Sequence, residues 1–116
     1  CEEKKYKICV IGTSFDKDSI IPMINLCNNL INNIDISPPN IIFSIARKSK
    51  LVVTNDTGPG HIAALSGVNM LWIINDNDIS KANIGNNSNN FKITSKFIKD
   101  ISTQDAFNII EKNKLL

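Results

Sequence analysis

Three short apolar runs, residues 7–11 (KICVI), 51–54 (LVVT) and 69–74 (NMLWII), each stop at a polar or glycine-containing loop. A continuous apolar run of this length suits a strand covered on both faces, which is the condition of a parallel sheet. That requirement narrows the choice of fold more than any other feature of the chain. Something apolar must lie above and below each run.

The segments between the runs supply that cover. Asp18 or Ser19 can cap a helix with Pro22 in its first turn, and apolar residues then recur at helical spacing through Ile20, Met23, Ile24, Cys27, Leu30 and Ile31. Ser37-Pro38-Pro39 breaks the chain and can open a second helix, because a proline at the first helical position loses no hydrogen bond. Ile41, Ile42, Ile45 and Ala46 form its apolar face, and Arg47, Lys48 and Lys50 sit where cations favour the negative helix end. A third helix is expected from about His61 to Leu65, closed by Ser66-Gly67, with Ala63 and Ala64 small enough to lie close on a sheet. Residues 91–94 offer a fourth strand. Ser102-Thr103-Gln104-Asp105 has the spacing of a capping box before a final helix carrying Ala106, Phe107, Ile109 and Ile110. The Asn-rich stretch 83–90 is expected as loop, since Asn and Gly tolerate turn geometry. Strand and helix alternate, so the expected class is α/β: a Rossmann-like parallel sheet flanked by helices in one domain over residues 1–116.

Composition excludes several functions. A net charge of +2, with Lys4, Lys5, Lys7, Lys48 and Lys50 scattered among acids, gives no basic stripe for nucleic acid. No apolar run approaches the length of a membrane span, and no secretory leader is expected. Cys1, Cys9 and Cys27 lack metal-ligand spacing and have one His to help them, so neither a metal nor a cofactor is expected. Free thiols point to a reducing, cytoplasmic setting. The chain does not open on Met, so we expect a piece of a longer product.

Ligands of parallel sheets bind at the carboxyl ends of the strands. Two loops there carry unusual chemistry, residues 12–18 and 55–61. In Asn55-Asp56-Thr57-Gly58-Pro59-Gly60-His61, unpaired amides at a helix start can hold an anion. Gly58 and Gly60 permit close backbone approach or positive φ, Thr57 adds a hydroxyl and His61 a ring that can bond or carry charge. Asp56 would repel a phosphate and suits sugar hydroxyls or the loop's own amides. The same residues also fit a purely structural loop, with Asp or Thr as an N-cap and Gly-Pro as a turn.

The run from Ile45 to Leu65, IARKSKLVVTNDTGPGHIAAL, resembles the signature of glycosyltransferase family nine, the lipopolysaccharide heptosyltransferases. That family shows an Ala-containing helix end, an apolar strand, Asn/Ser-Asp-Thr/Ser-Gly-Pro-x-His and an Ala-rich helix. The resemblance implies the C-terminal donor-binding half of a GT-B architecture, and a substrate such as ADP-heptose. It further implies an inverting transfer to a glycan or lipid-linked acceptor in cell-surface glycan synthesis, in the cytoplasm or peripheral on the inner face of the cell membrane. Thr57, Gly58, Pro59 and Gly60 would then contact the donor diphosphate, and Asp56 and His61 would lie beside the transferred sugar. Asp16, four residues after Gly12, would bind the donor ribose, and Ser37 with Pro38 and Pro39 would wall the nucleobase.

Departures from the family are equally plain. The acceptor domain that supplies the general base has no counterpart in this chain, and Asn75-Asp76-Asn77-Asp78 stands where relatives carry a Gly-Pro turn. The chain alone is therefore expected to bind a nucleotide sugar and not to transfer it. Two other assignments fit parts of the sequence. One is a non-catalytic Rossmann-like module for a phosphate-bearing ligand. The other is an aspartic protease, from the Asp56-Thr57-Gly58 triplet, which would require an all-β fold.

Overall fold

The computed structural model describes residues 6–116. Cys1, Lys4 and Lys5 lie outside the described residues. The chain divides into two compact units, residues 1–42 and 43–116.

In the first unit, β1 (Ile8–Gly12) and β2 (Leu30–Ile34) pair in parallel, with Ile8 opposite Leu30 and Gly12 opposite Ile34. A 3-10 turn (Ser14–Asp16) and α1 (Lys17–Leu26) connect them. Strand β2 corrects the sequence expectation, which carried a helix through Ile31. Helix α1 stops at Leu26, and Cys27 takes extended angles (φ −123°, ψ 103°). The ladder to β1 gives the backbone of residues 30–34 partners that overrule the helical spacing of Leu30 and Ile31. The start of α1 also lies earlier than Asp18 or Ser19. Asp16 closes a capping box with Thr13, the turn is nucleated there, and Pro22 falls inside the helix instead of in its first turn. Cys9 and Cys27 are free, half-buried thiols, and Cys9 Sγ accepts from Asn33 Nδ2 at 3.2 Å.

Helix α2 (Pro39–Lys48) begins at the second proline, with Ile41 N and Ile42 N both donating to Pro38 O. The second unit then runs β3 (Leu51–Thr54), α3 (Gly58–Ala64), β4 (Asn69–Asn75), α4 (Asp78–Ile84), β5 (Asn90–Ser95), a 3-10 turn (Ile98–Asp100) and α5 (Thr103–Lys112). Its three strands form one parallel sheet in the order β3-β4-β5. This is an α/β unit, Rossmann-like in general form. The apolar run of residues 69–74 becomes the central strand, and Met70, Leu71, Trp72 and Ile74 are its fully buried side chains. Ala46, Ala63, Val68, Ile84 and Leu115 are buried in the same unit.

Helix α4 was not foreseen in the sequence. Asn77 caps it by accepting from Ser80 N at 2.8 Å, and Gly85 ends it at φ +67°. The capping box of α5 is present as expected: Ser102 Oγ accepts from Asp105 N at 3.1 Å and Asp105 Oδ2 from Ser102 N at 3.2 Å. Among the described residues no helix is long and apolar enough to cross a membrane.

Candidate functional site

Strand β3 ends at Thr54, and four residues later the chain is helical. Helix α3 therefore starts three residues before His61, the expected start, and Gly58-Pro59-Gly60 forms its first turn. Pro59 serves there because a first-turn residue needs no N–H. Neither Gly58 nor Gly60 takes positive φ, which occurs among glycines at Gly67 and Gly85. The two glycines do different things. Around Gly58 a Cβ would meet nothing within 4 Å, whereas at Gly60 it would meet Thr54 Oγ1 at 2.7 Å and Asn55 O at 3.0 Å. Gly60 is buried and lets α3 lie close against the end of β3; its role is packing. Gly58 and Thr57 are exposed.

Thr57 stands at the N-cap of α3 with extended angles, yet its hydroxyl makes no capping bond. That hydroxyl donates weakly to Asn55 O at 3.5 Å. The first amide of the helix to find a backbone acceptor is that of His61, which donates to Thr57 O at 3.1 Å. Among the described residues the exposed amides of Thr57 and Gly58 have no protein partner.

Asp56 and His61 meet. His61 Nε2 lies 2.7 Å from Asp56 Oδ1, with the side chains 42% and 21% exposed respectively. The five-residue separation brings them together because the chain turns from strand into helix between them. The other carboxylate oxygen of Asp56 accepts from Asn83 Nδ2 of α4 at 3.5 Å. The hydrogen bond from His61 holds the Asp56 carboxyl below its ordinary value of 3.8; partial burial opposes this, and Asn83, the charge of His61 and Ser80 add to the lowering. The imidazole also packs at a tilt against Trp72 of β4, with ring centroids 5.1 Å apart and planes 43° from parallel. Trp72 is fully buried, and its indole N–H donates to Asn90 Oδ1 at 3.1 Å.

Trp72 and Asn83 are the site members that sequence reasoning missed. A lone Trp in an otherwise aliphatic run was the available signal for the first. For the second it was Asn77 and Gly85 bracketing a helix.

Asp16 and Ser37 belong to the first unit. Asp16 Oδ2 accepts from Thr13 N at 2.9 Å and from Thr13 Oγ1 at 3.0 Å, and these bonds hold its carboxyl below the ordinary 3.8. One of its oxygens is thus committed to bracing its own turn. Ser37 Oγ donates to Asn33 O at 3.2 Å. The first unit also contains an open cavity of about 240 Å³ near the carboxyl ends of β1 and β2, with Lys17 and Asp35 among its lining.

The Asp56-Thr57-Gly58 triplet leads from a parallel strand into a helix. An aspartic protease needs that triplet in a β loop of an all-β enzyme, so the α/β fold removes the protease assignment. Among the described residues no three His, Cys, Asp or Glu side chains gather as a metal site would require. Compared with protein-family models, with curated proteins and with solved structures, the chain gives no match.

Proposed function

We propose that this chain is the donor-binding half of an inverting glycosyltransferase of the heptosyltransferase kind, with a nucleotide-diphospho-sugar such as ADP-heptose as its substrate. The observation that carries the proposal is the Asp56–His61 pair, closed at 2.7 Å beside the exposed Thr57 and Gly58 amides at the carboxyl end of a parallel strand. It supports a donor site because it sets two kinds of chemistry side by side. The amides and the weakly bonded Thr57 hydroxyl suit the diphosphate, and a carboxylate with an imidazole suits the hydroxyls of the sugar.

Catalysis from this half is electrostatic. Donors already in place at the start of α3 stabilise negative charge growing on the leaving diphosphate, and they need no reorganisation as the bond breaks. Pro59 and Gly60 shape the turn that presents those donors. A glycan or lipid-linked acceptor would be held by a separate domain, at the inner face of the membrane.

Thermal-shift titration with ADP-heptose and other nucleotide sugars tests the proposal, because a ligand bound to the folded chain stabilises it in proportion to the logarithm of concentration over Kd. Calorimetry on Thr57→Ala and Gly58→Val then tests the diphosphate contact. Both changes are expected to leave the fold intact, since Thr57 makes no capping bond and Gly58 has open space around it. Weakened nucleoside-diphosphate binding with unchanged circular dichroism is the expected result. Unchanged affinity in both variants removes the phosphate role.

A further inference from the structure

One face of α4 turns toward Asp56. Asn83 Nδ2 donates to Asp56 Oδ2 at 3.5 Å. Ser80, three residues earlier and so on the same side of the helix, also helps to hold the carboxyl down, after His61 and Asn83. Asn83 is exposed, yet its place is fixed. The carbonyl of Ile84, the next residue, accepts from Asn90 Nδ2 at 3.0 Å, and that of Lys81 accepts from Lys92 Nζ at 3.3 Å. Strand β5 thereby fastens the last turn of α4. Asn90 is also the residue whose Oδ1 accepts from Trp72 Nε1 at 3.1 Å. A closed circuit results: Asp56 to His61, His61 to Trp72, Trp72 through Asn90 to α4, and α4 through Asn83 back to Asp56. Most of the bonding capacity of the Asn83 carboxamide stays open within it. A carboxamide has two N–H donors and a carbonyl acceptor. One N–H is engaged by Asp56, and among the described residues the other N–H and Oδ1 have no partner.

Resting on the donor-site proposal above, we propose that Asn83 is a specificity-determining residue, which reads hydroxyls of the transferred sugar together with Asp56. The two side chains complement a hydroxyl group. Asp56, as a carboxylate, only accepts, and the open Asn83 N–H only donates. A hydroxyl does both: its hydrogen goes to Asp56 Oδ2 and its oxygen accepts from Asn83. A neighbouring hydroxyl on the sugar then donates to Asn83 Oδ1. Charge narrows the class further. Among the described residues no Lys or Arg pairs with Asp56: Lys81 is taken by Asp76, and Lys92 by Lys81 O and Asn86 Oδ1. A uronate in this place would set its own carboxylate against that of Asp56, which disfavours both charges. The sugar read by Asn83 is therefore uncharged and polyhydroxylated.

Titration calorimetry of the whole chain with two ligands tests this: ADP-heptose, which carries the sugar, and ADP, which does not. Losing hydrogen bonds from one neutral side chain lowers affinity about three- to tenfold. Asn83→Ala is expected to weaken ADP-heptose by about that factor and to leave ADP within about twofold of wild type. Asn83→Leu, similar in size but without a polar atom, is expected to do the same, which separates a lost contact from an opened space. The position is exposed and its bond to Asp56 is long, so circular dichroism and the ligand-free Tm are expected to stay at the wild-type values. ADP-heptose bound by both variants as tightly as by wild type overturns the role of Asn83. Equal weakening of both ligands overturns it too, because that pattern marks a structural part and not a contact with the sugar. ADP-heptose that fails to bind the wild-type chain overturns the donor-site proposal itself, and with it the sugar that Asn83 would read.

Discussion

Replacing Gly60 by Ala tests whether the loop is built by packing or by ligand. The added Cβ would sit 2.7 Å from Thr54 Oγ1, 3.0 Å from Thr54 Cγ2 and 3.0 Å from Asn55 O. Two of these neighbours belong to one side chain that can rotate, but the third is backbone at the end of β3 and moves only if the strand does. Overpacking of this kind costs about 1–3 kcal/mol. Ala gains at most about 1 kcal/mol over Gly in a helix interior, and less in a first turn. The net expectation is a loss of about 1–2 kcal/mol, a fall in Tm of about 4–8 °C per kcal/mol for a domain of this size. Gly58→Ala is the matched control, two residues away in the same turn with nothing near its Cβ, and should be neutral or slightly stabilising. Thr54→Ala in the Gly60→Ala background removes two of the three close neighbours and should restore part of the loss, a coupling that a double-mutant cycle measures. Urea unfolding of wild type, the three single variants Gly60→Ala, Gly58→Ala and Thr54→Ala, and the double variant is the assay. Gly60→Ala as stable as wild type, or Gly58→Ala the more damaging of the pair, would refute the packing argument.

Ser102→Ala removes the acceptor of Asp105 N and should cost about 1 kcal/mol, seen as a lower urea midpoint with an unchanged m-value. The Asp56 carboxyl is held below 3.8 in the folded chain, chiefly by the bond from His61. Its contribution to stability is therefore present above the unfolded value and lost as pH falls through the folded one. Carbon-13 NMR should place the Asp56 midpoint below 3.8, and a midpoint at or above that value would contradict the hydrogen bond.

Much of the fold was legible because local physics and tertiary structure agree along it. Residues 51–54 coincide with β3, and 69–74 with all but the last residue of β4. Buried parallel strands need continuous apolar runs, and no other element of this chain competes for them. The prolines before α2 and the box before α5 act within a few residues, so sequence alone suffices to place those helix starts. Where the structure departs, the deciding interaction is remote or is masked by composition. Leu30 and Ile31 continue a helical spacing, yet they pair with Ile8 and Cys9, some twenty residues back, and no window on the local sequence contains that partner. Helix α4 lay hidden just ahead of the Asn-rich stretch, overlapping its first two residues, and its caps are themselves asparagine and glycine, which read as turn residues.

The candidate site divides in the same way. Local patterning alone places Asp56, Thr57 and His61 between an apolar strand and a helix, because strand, turn and helix signals each act over a few residues. Tertiary structure decided what those groups touch. It closed Asp56 on His61, set the imidazole at a tilt beside Trp72, brought Asn83 from α4 to the second carboxylate oxygen, and packed Gly60 against the end of β3. Hydrogen-bond geometry depends on ångström-scale distances between side chains from different elements, and those are set only when the sheet and its helices pack.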